Sequence, residues 1–331
     1  MIEFVFTLDY EIYGDGTGSL KELIYEPGEL LFQIFRKWNA SCVVFVEAAE
    51  LEKIHNERSD SAIDLVTSQI REVYRQGFEI GLHLHPQWYK GRIENGAWRL
   101  DGSEYNLCLL PPERIRHMVG RSIDYLRNVL DMPRFSPFSF RAGNWLFQPT
   151  QPTADILAEH GIRIDSSVFK GGVLHKHGID YRPALKNGYY WKFKSRVDSH
   201  DREGKLLEIP IYTQMVPTWK ILTSKRMAIQ KKSQAVAGSQ NAGFNVKDAL
   251  RFKYPRKLDF CRMTRSELVE TLSKVIDEDI AEPSVYRPVV SIGHTKDLTD
   301  INTVDFLLRF LNEKGIGITT LEGAYDKCRL P

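Results

Sequence analysis

The sequence has only four cysteines, Cys42, Cys108, Cys261 and Cys328, and no two of them share the C-x-x-C spacing of a zinc knuckle. Nor do they form the dense pattern of a disulfide framework, so reduced core thiols are expected. Neither sign of charge is in excess. The 45 lysines and arginines face 43 aspartates and glutamates, a formal +2 that gives no global pull toward nucleic acid. No run approaches the ~18–20 consecutive apolar residues of a membrane span. The N-terminus enters an apolar run, M-I-E-F-V-F-T-L, with no charged leader or cleavage site ahead of it, and a cytoplasmic enzyme is expected.

What the sequence does have is alternation. Strand-like apolar runs alternate with amphipathic helical patterns over most of its 331 residues, the pattern of βα units around a parallel sheet. Strands are expected at Ile2–Leu8, Cys42–Val46, Phe78–His83, Phe138–Arg141, Ile162–Asp165, Leu206–Tyr212, Val289–Gly293 and Gly317–Thr320. Helices are expected at Gly28–Trp38, Ser61–Gln76, Ile115–Leu130 (opened by Pro111 and Pro112) and Asp305–Asn312, with a capping box at Thr264 and Glu267. The expected fold class is α/β, with about seven or eight repeats. One stretch, residues 219–262, breaks the alternation. It is polar and strongly basic, and it reads as an insertion within a single domain that serves as an anion-facing lid or a solvated loop.

Five polar motifs lie where apolar runs stop, which is where parallel α/β proteins carry their chemistry. In T-L-D-Y-E, Asp9 and Glu11 are two residues apart, so extended backbone sends both carboxylates to one side. The same spacing puts His83 and His85 of G-L-H-L-H-P together, a geometry that suits two imidazoles converging on zinc. Arg141 of F-R-A-G-N-W needs a carboxylate partner if it is buried. Asp165 opens D-S-S. His294 closes S-I-G-H-T-K and can act as an acid near neutral pH. Nearby aromatics, among them Tyr13, Trp88 and Trp145, can stack on sugar faces. A second pair, His175 and His177, lies in a glycine-flanked loop and reads as substrate-contacting or plain surface.

Taken in order, these motifs resemble the polysaccharide deacetylase superfamily, the NodB-homology proteins of carbohydrate esterase family 4, from Thr7 to about Lys296. The resemblance implies a distorted (β/α)7-type barrel that removes acyl groups from sugars with zinc or a similar divalent ion. It makes Asp9 the catalytic base, Glu11 an acidic metal ligand, Arg141 the residue that orients Asp9, Asp165 a residue that shapes the site, and His294 the proton donor to the leaving group. Two departures stand out. The acidic pair is D-x-E where the family has adjacent residues, and Gln87 stands where the family has its second histidine. His85, an imidazole, is taken as the third ligand in preference to that neutral amide. The expected activity is metal-dependent removal of an N-acetyl or N-formyl group from a sugar, a precursor of surface polysaccharide that carries a phosphate linkage. An inactive glycan- or nucleotide-sugar-binding member of the fold and a metal-independent amidase on a small cyclic amide are the alternatives.

Overall fold

The computed structural model describes residues 1–220 and 253–328. Its first strand, β1 (Ile2–Tyr10), is rich in β-branched and aromatic residues and is buried from Phe4 onward, as a parallel strand covered on both faces must be. Around it lie β2 (Val43–Glu47), β3 (Glu79–Leu84), β4 (Ser139–Ala142), β5 (Ile164–Asp165), β6 (Trp191–Phe193), β7 (Leu206–Glu208), β8 (Arg287–His294) and β9 (Gly317–Thr319). They form one nine-stranded sheet in the order β6-β7-β5-β4-β3-β2-β1-β8, with β9 paired to the first half of β1. Every pairing is parallel except β6 on β7.

The sheet curls into a distorted barrel. After β7 the chain crosses toward β8, where Tyr212 donates its N–H to the Val290 carbonyl and Phe260 donates to that of Ile292. Helices pack outside: α1 (Glu26–Lys37), α2 (Ala48–Glu57), α3 (Ile63–Arg75), α4 (Pro112–Leu130), α5 (Thr153–Glu159), α6 (Arg265–Ala281), α7 (Ile301–Glu313) and α8 (Leu321–Tyr325). Phe6 contacts Phe4, Phe35 of α1 and Phe260 with ring centroids 4.5, 5.0 and 5.3 Å apart. Burying each such ring contributes about 1.5–3 kcal/mol. The box at Thr264 and Glu267 is formed and starts α6. All four cysteines are free and buried.

The expected strand Leu206–Tyr212 stops as a strand at Glu208, because Pro210 has no N–H to give a ladder. Helices α2 and α5 and the antiparallel strand β6 were not foreseen. Most of the basic stretch, 221–252, lies outside the described residues. Its flanks, Thr213–Pro217 and Lys253–Lys257, pair as a two-stranded antiparallel hairpin. From Leu258 to Phe260 the chain is already part of the barrel, bonded to Tyr212 and Ile292.

Candidate active site

All parallel strands but the short β9 bring an ionisable residue to one rim of the barrel. These are Asp9, Glu47, His83, Arg141, Asp165, Glu208 and His294, and all are buried. Register sets them side by side: Asp9 faces His294, Glu47 faces His83, His83 faces Arg141, and Asp165 faces Glu208. Charges this deep persist only when paired or hydrogen-bonded, so their contacts define what the site can do.

Asp9 has two partners. Its Oδ1 accepts from Arg141 Nη1 at 2.5 Å, and its Oδ2 lies 3.4 Å from His294 Nε2. Arg141 is fully buried. It also donates to Thr7 Oγ1 at 2.9 Å and to the Ser166 carbonyl at 2.9 Å, and its guanidinium lies 4.3 Å over the Phe45 ring. Burial pushes the Asp9 carboxyl up, but Arg141, His83 and His294 outweigh it and hold the group below the usual carboxylate range. Asp9 is therefore an anion poised next to a histidine.

Glu11 divides its oxygens. Oε1 accepts from Lys296 Nζ at 2.9 Å, while Oε2 lies 2.9 Å from His85 Nε2 and 3.5 Å from His83 Nε2. Burial raises the Glu11 carboxyl, yet Lys296 and His85 bring it well below its ordinary value. The two histidine Nε2 atoms are 3.2 Å apart. Donors bonded to one tetrahedral zinc at ~2.0–2.1 Å stand ~3.3 Å from each other, so the three spacings suit one small divalent ion. The tautomers agree. His83 Nδ1–H donates to the Arg141 carbonyl at 2.8 Å, so the neutral ring offers Nε2 to a metal; without one, burial lowers the His83 pKa but Glu11 outweighs it, raises the pKa and favours a proton there.

His85 is braced on every side. Its backbone N–H donates to Glu47 Oε1 at 2.8 Å, and its Nδ1 faces the side-chain amides of Gln87 and Asn144, each at 3.2 Å. Gln87 Oε1 is buried with no partner. Turning that amide over puts the oxygen on Nδ1–H and frees Nε2 as a donor to metal. Gln87 thus contacts the ring of a candidate ligand, not the ligand cluster. The A-G-N-W turn is built for this approach. A Cβ on Gly143 would stand 2.7 Å from the His85 ring, and Asn144 and Trp145 both adopt left-handed backbone, φ 54° and 59°. Such strain at non-glycine residues costs about 1 kcal/mol or more each and persists where the surroundings enforce it.

His294 faces Asp9 through Nε2, and its Nδ1 lies 3.5 Å from Asp297 Oδ2. Burial lowers its pKa despite Asp9 and Asp297, so the resting imidazole is neutral. It must gain a proton before it can donate one. Asp165 bonds to Ser167 and Glu208 instead of His294. It accepts from Ser167 Oγ at 2.6 Å, and burial raises both carboxyls of the acidic pair, Glu208 well above its usual range. That pair keeps a proton behind Arg141.

Among the aromatics, Trp145 sets its ring edge-on to His294 at 6.4 Å, and Tyr13 lies under Lys296 at 5.6 Å. Trp88 is a correction. It is fully buried and packs on Trp98 at 5.1 Å, so it is core and not a surface for a sugar. His175 and His177 lie in an exposed turn, where His177 stacks on Tyr105 at 4.8 Å; neither joins a ligand cluster among the described residues. Glu47 and Glu208 were not foreseen, nor was Glu50, whose Oε1 accepts from the Ile12 N–H at 2.9 Å. V-V-F-V-E and L-L-E-I-P would have yielded Glu47 and Glu208, because both obey the strand-end rule that found Asp9 and His294.

No family model matches the sequence, and no curated protein matches it. Solved structures do. A Mycobacterium smegmatis protein assigned as a polysaccharide deacetylase aligns over 98% of this chain and 89% of its own, at 15% identity and TM-score 0.53. The two share a distorted barrel. An allantoinase aligns over 100% and 92% at 13% identity and TM-score 0.52. A GH57 branching enzyme from Thermococcus kodakaraensis aligns over 100% of this chain and 72% of its own, at 11% identity and TM-score 0.54. At these identities the deacetylase likeness is one of fold, and chemistry must be argued from the rim residues.

Proposed function

We propose that this protein is a metal-dependent hydrolase that removes an N-acyl group, acetyl or formyl, from a sugar. The observation that carries the reading is the cluster of Glu11 Oε2, His83 Nε2 and His85 Nε2 at mutual distances of 2.9–3.5 Å, next to an ionised Asp9 that faces His294. Glu11, His83 and His85 would hold a divalent ion, most simply zinc. Such an ion, when bound, supplies Lewis-acid polarisation of the acyl carbonyl and of water.

The chain's own groups supply the proton traffic. Asp9, oriented by Arg141, accepts the proton of the attacking water at Oδ2. Neutral His294 takes that proton across the 3.4 Å gap and, as an imidazolium facing Asp297, passes it to the departing amine. Lys296 keeps Glu11 ionised, and Glu47 keeps the His85 backbone in place. The products are a carboxylate and a free amino sugar. The substrate we propose is a cytoplasmic precursor of surface polysaccharide, as expected from the sequence.

The test is a screen for acetate and formate release from N-acyl sugars, free and nucleotide-linked, with the zinc-loaded full chain. The expected result is release from at least one of them, lost on chelation and restored by zinc. Release that survives chelation would point to the amidase alternative, and sugar binding without release would point to a binding protein.

A further inference from the structure

Four cations surround the rim, and among the described residues three have a carboxylate partner. Arg141 pairs with Asp9 at 2.5 Å, Lys296 with Glu11 at 2.9 Å and Arg262 with Asp297 at 3.1 Å. Lys257 does not. Its Nζ stands 3.1 Å from the centroid of the Trp145 ring and 4.9 Å from that of Phe169, with no carboxylate in ion-pair contact. An ammonium on an indole face is held by the ring quadrupole, and a contact of that kind leaves at least one N–H free to donate elsewhere.

The position is rigid on both sides. Arg256, the preceding residue, is buried and turned the other way, donating to Gln214 Oε1 at 2.6 Å and Thr271 Oγ1 at 3.2 Å and pairing with Glu267 at 3.5 Å. Leu258, the following residue, donates its N–H to Tyr212 at 2.8 Å and accepts from Ile292 N–H at 2.9 Å on β8. Trp145, under the ammonium, is fixed in left-handed backbone with its ring perpendicular to that of His294. Of the basic residues expected to face an anion from the 219–262 stretch, Arg256 and Lys220 are tied to α6, Lys220 through Glu270 at 2.5 Å. Among the described residues of that stretch, Lys257 is the one that stands over Trp145, the ring next to His294. Burial brings its pKa down to about 7, so a bound anion would raise its charge at neutral pH.

We infer that Lys257 is an anion receptor of the site: its ammonium, over the Trp145 ring that neighbours His294, takes an oxyanion, phosphate or carboxylate, carried by the substrate. The substrate class is then an anionic acyl sugar. This rests on the deacylation reading for the sugar but not for the anion.

The experiment is trace acetylation of the full, zinc-loaded chain with acetic anhydride at neutral pH, read lysine by lysine through peptide mass spectrometry. It is run alone, with inorganic phosphate, and with glucuronate. Only the free amine reacts, and a charge-assisted contact that holds the ammonium form should slow labelling of Lys257 about tenfold at saturation. Exposed Lys194 and Lys314 should keep their rates. Protection by phosphate alone identifies a phosphate-bearing sugar, and protection by glucuronate alone identifies a uronate. An unchanged Lys257 rate with both anions, or equal slowing of all three lysines, overturns the inference. The labelling requires no turnover. A chain that releases no acyl group but passes this test loses the deacylation reading and keeps the anion receptor.

Discussion

Replacing Asp9 by Asn is expected to lower the rate of acyl release by about 10²–10⁴-fold, the range associated with a positioned general base, while the bound metal is retained. The amide keeps the shape and still accepts from Arg141, but it cannot take the water's proton. Metal content should hold because the three proposed ligands do not include Asp9. Turnover within a few-fold of wild type, with zinc still bound, would remove Asp9 from the role of base. His294 then becomes the group to test, since its resting neutrality already allows it to accept a proton.

Replacing Arg141 by Met should have the largest effect on stability, a loss of about 3–5 kcal/mol, the usual result of removing one partner of a buried ion pair. Asp9, Thr7 Oγ1 and the Ser166 carbonyl each lose a donor at once. The loss should depend on pH in a defined direction. In the wild type Asp9 lies below its ordinary value, so its contribution is fully present above the unfolded value of about 3.9 and fades as pH falls through the still lower folded one. Without Arg141, burial prevails and the carboxyl moves up. The gap between variant and wild type should therefore be widest at neutral pH and narrow in acid. Urea unfolding across that range measures it, and a double variant that joins Arg141→Met to Asp9→Asn should regain part of the loss. A gap independent of pH would mean that Arg141 acts through packing on Phe45 and not through charge.

Much of this was legible in the sequence, because strand ends obey two simple rules. Alternation of apolar runs and helical patterns predicted βα units around a parallel sheet, the family resemblance implied the barrel, and two-residue spacing predicted that Asp9 and Glu11, and His83 and His85, would share a side. Arg141 met Asp9 because strand register, invisible in sequence, brings β1 and β4 to the same rim with β2 and β3 between them. Register also explains the misses. Glu47 and Glu208 close their strands, but the expected strands stopped at Val46 and ran on to Tyr212, and register then showed their neighbours to be His85 and Asp165. Trp88 misled because it lies close in sequence to the H-x-H motif, whereas the turn after β3 folds it inward. Lys257 belongs to a hairpin whose path across the barrel no periodicity encodes.

The proposed chemistry requires that Glu11, His83 and His85 converge on a single ion. Equilibrium dialysis against buffered zinc, followed by elemental analysis, tests it without reference to substrate or rate. The wild-type chain is predicted to retain a single zinc ion per chain. The His83→Ala chain, folded by circular dichroism, is predicted to retain almost none, because it leaves Glu11 and His85 as a two-point site. A folded wild-type chain that holds no more zinc than His83→Ala would mean that these three residues form no metal site.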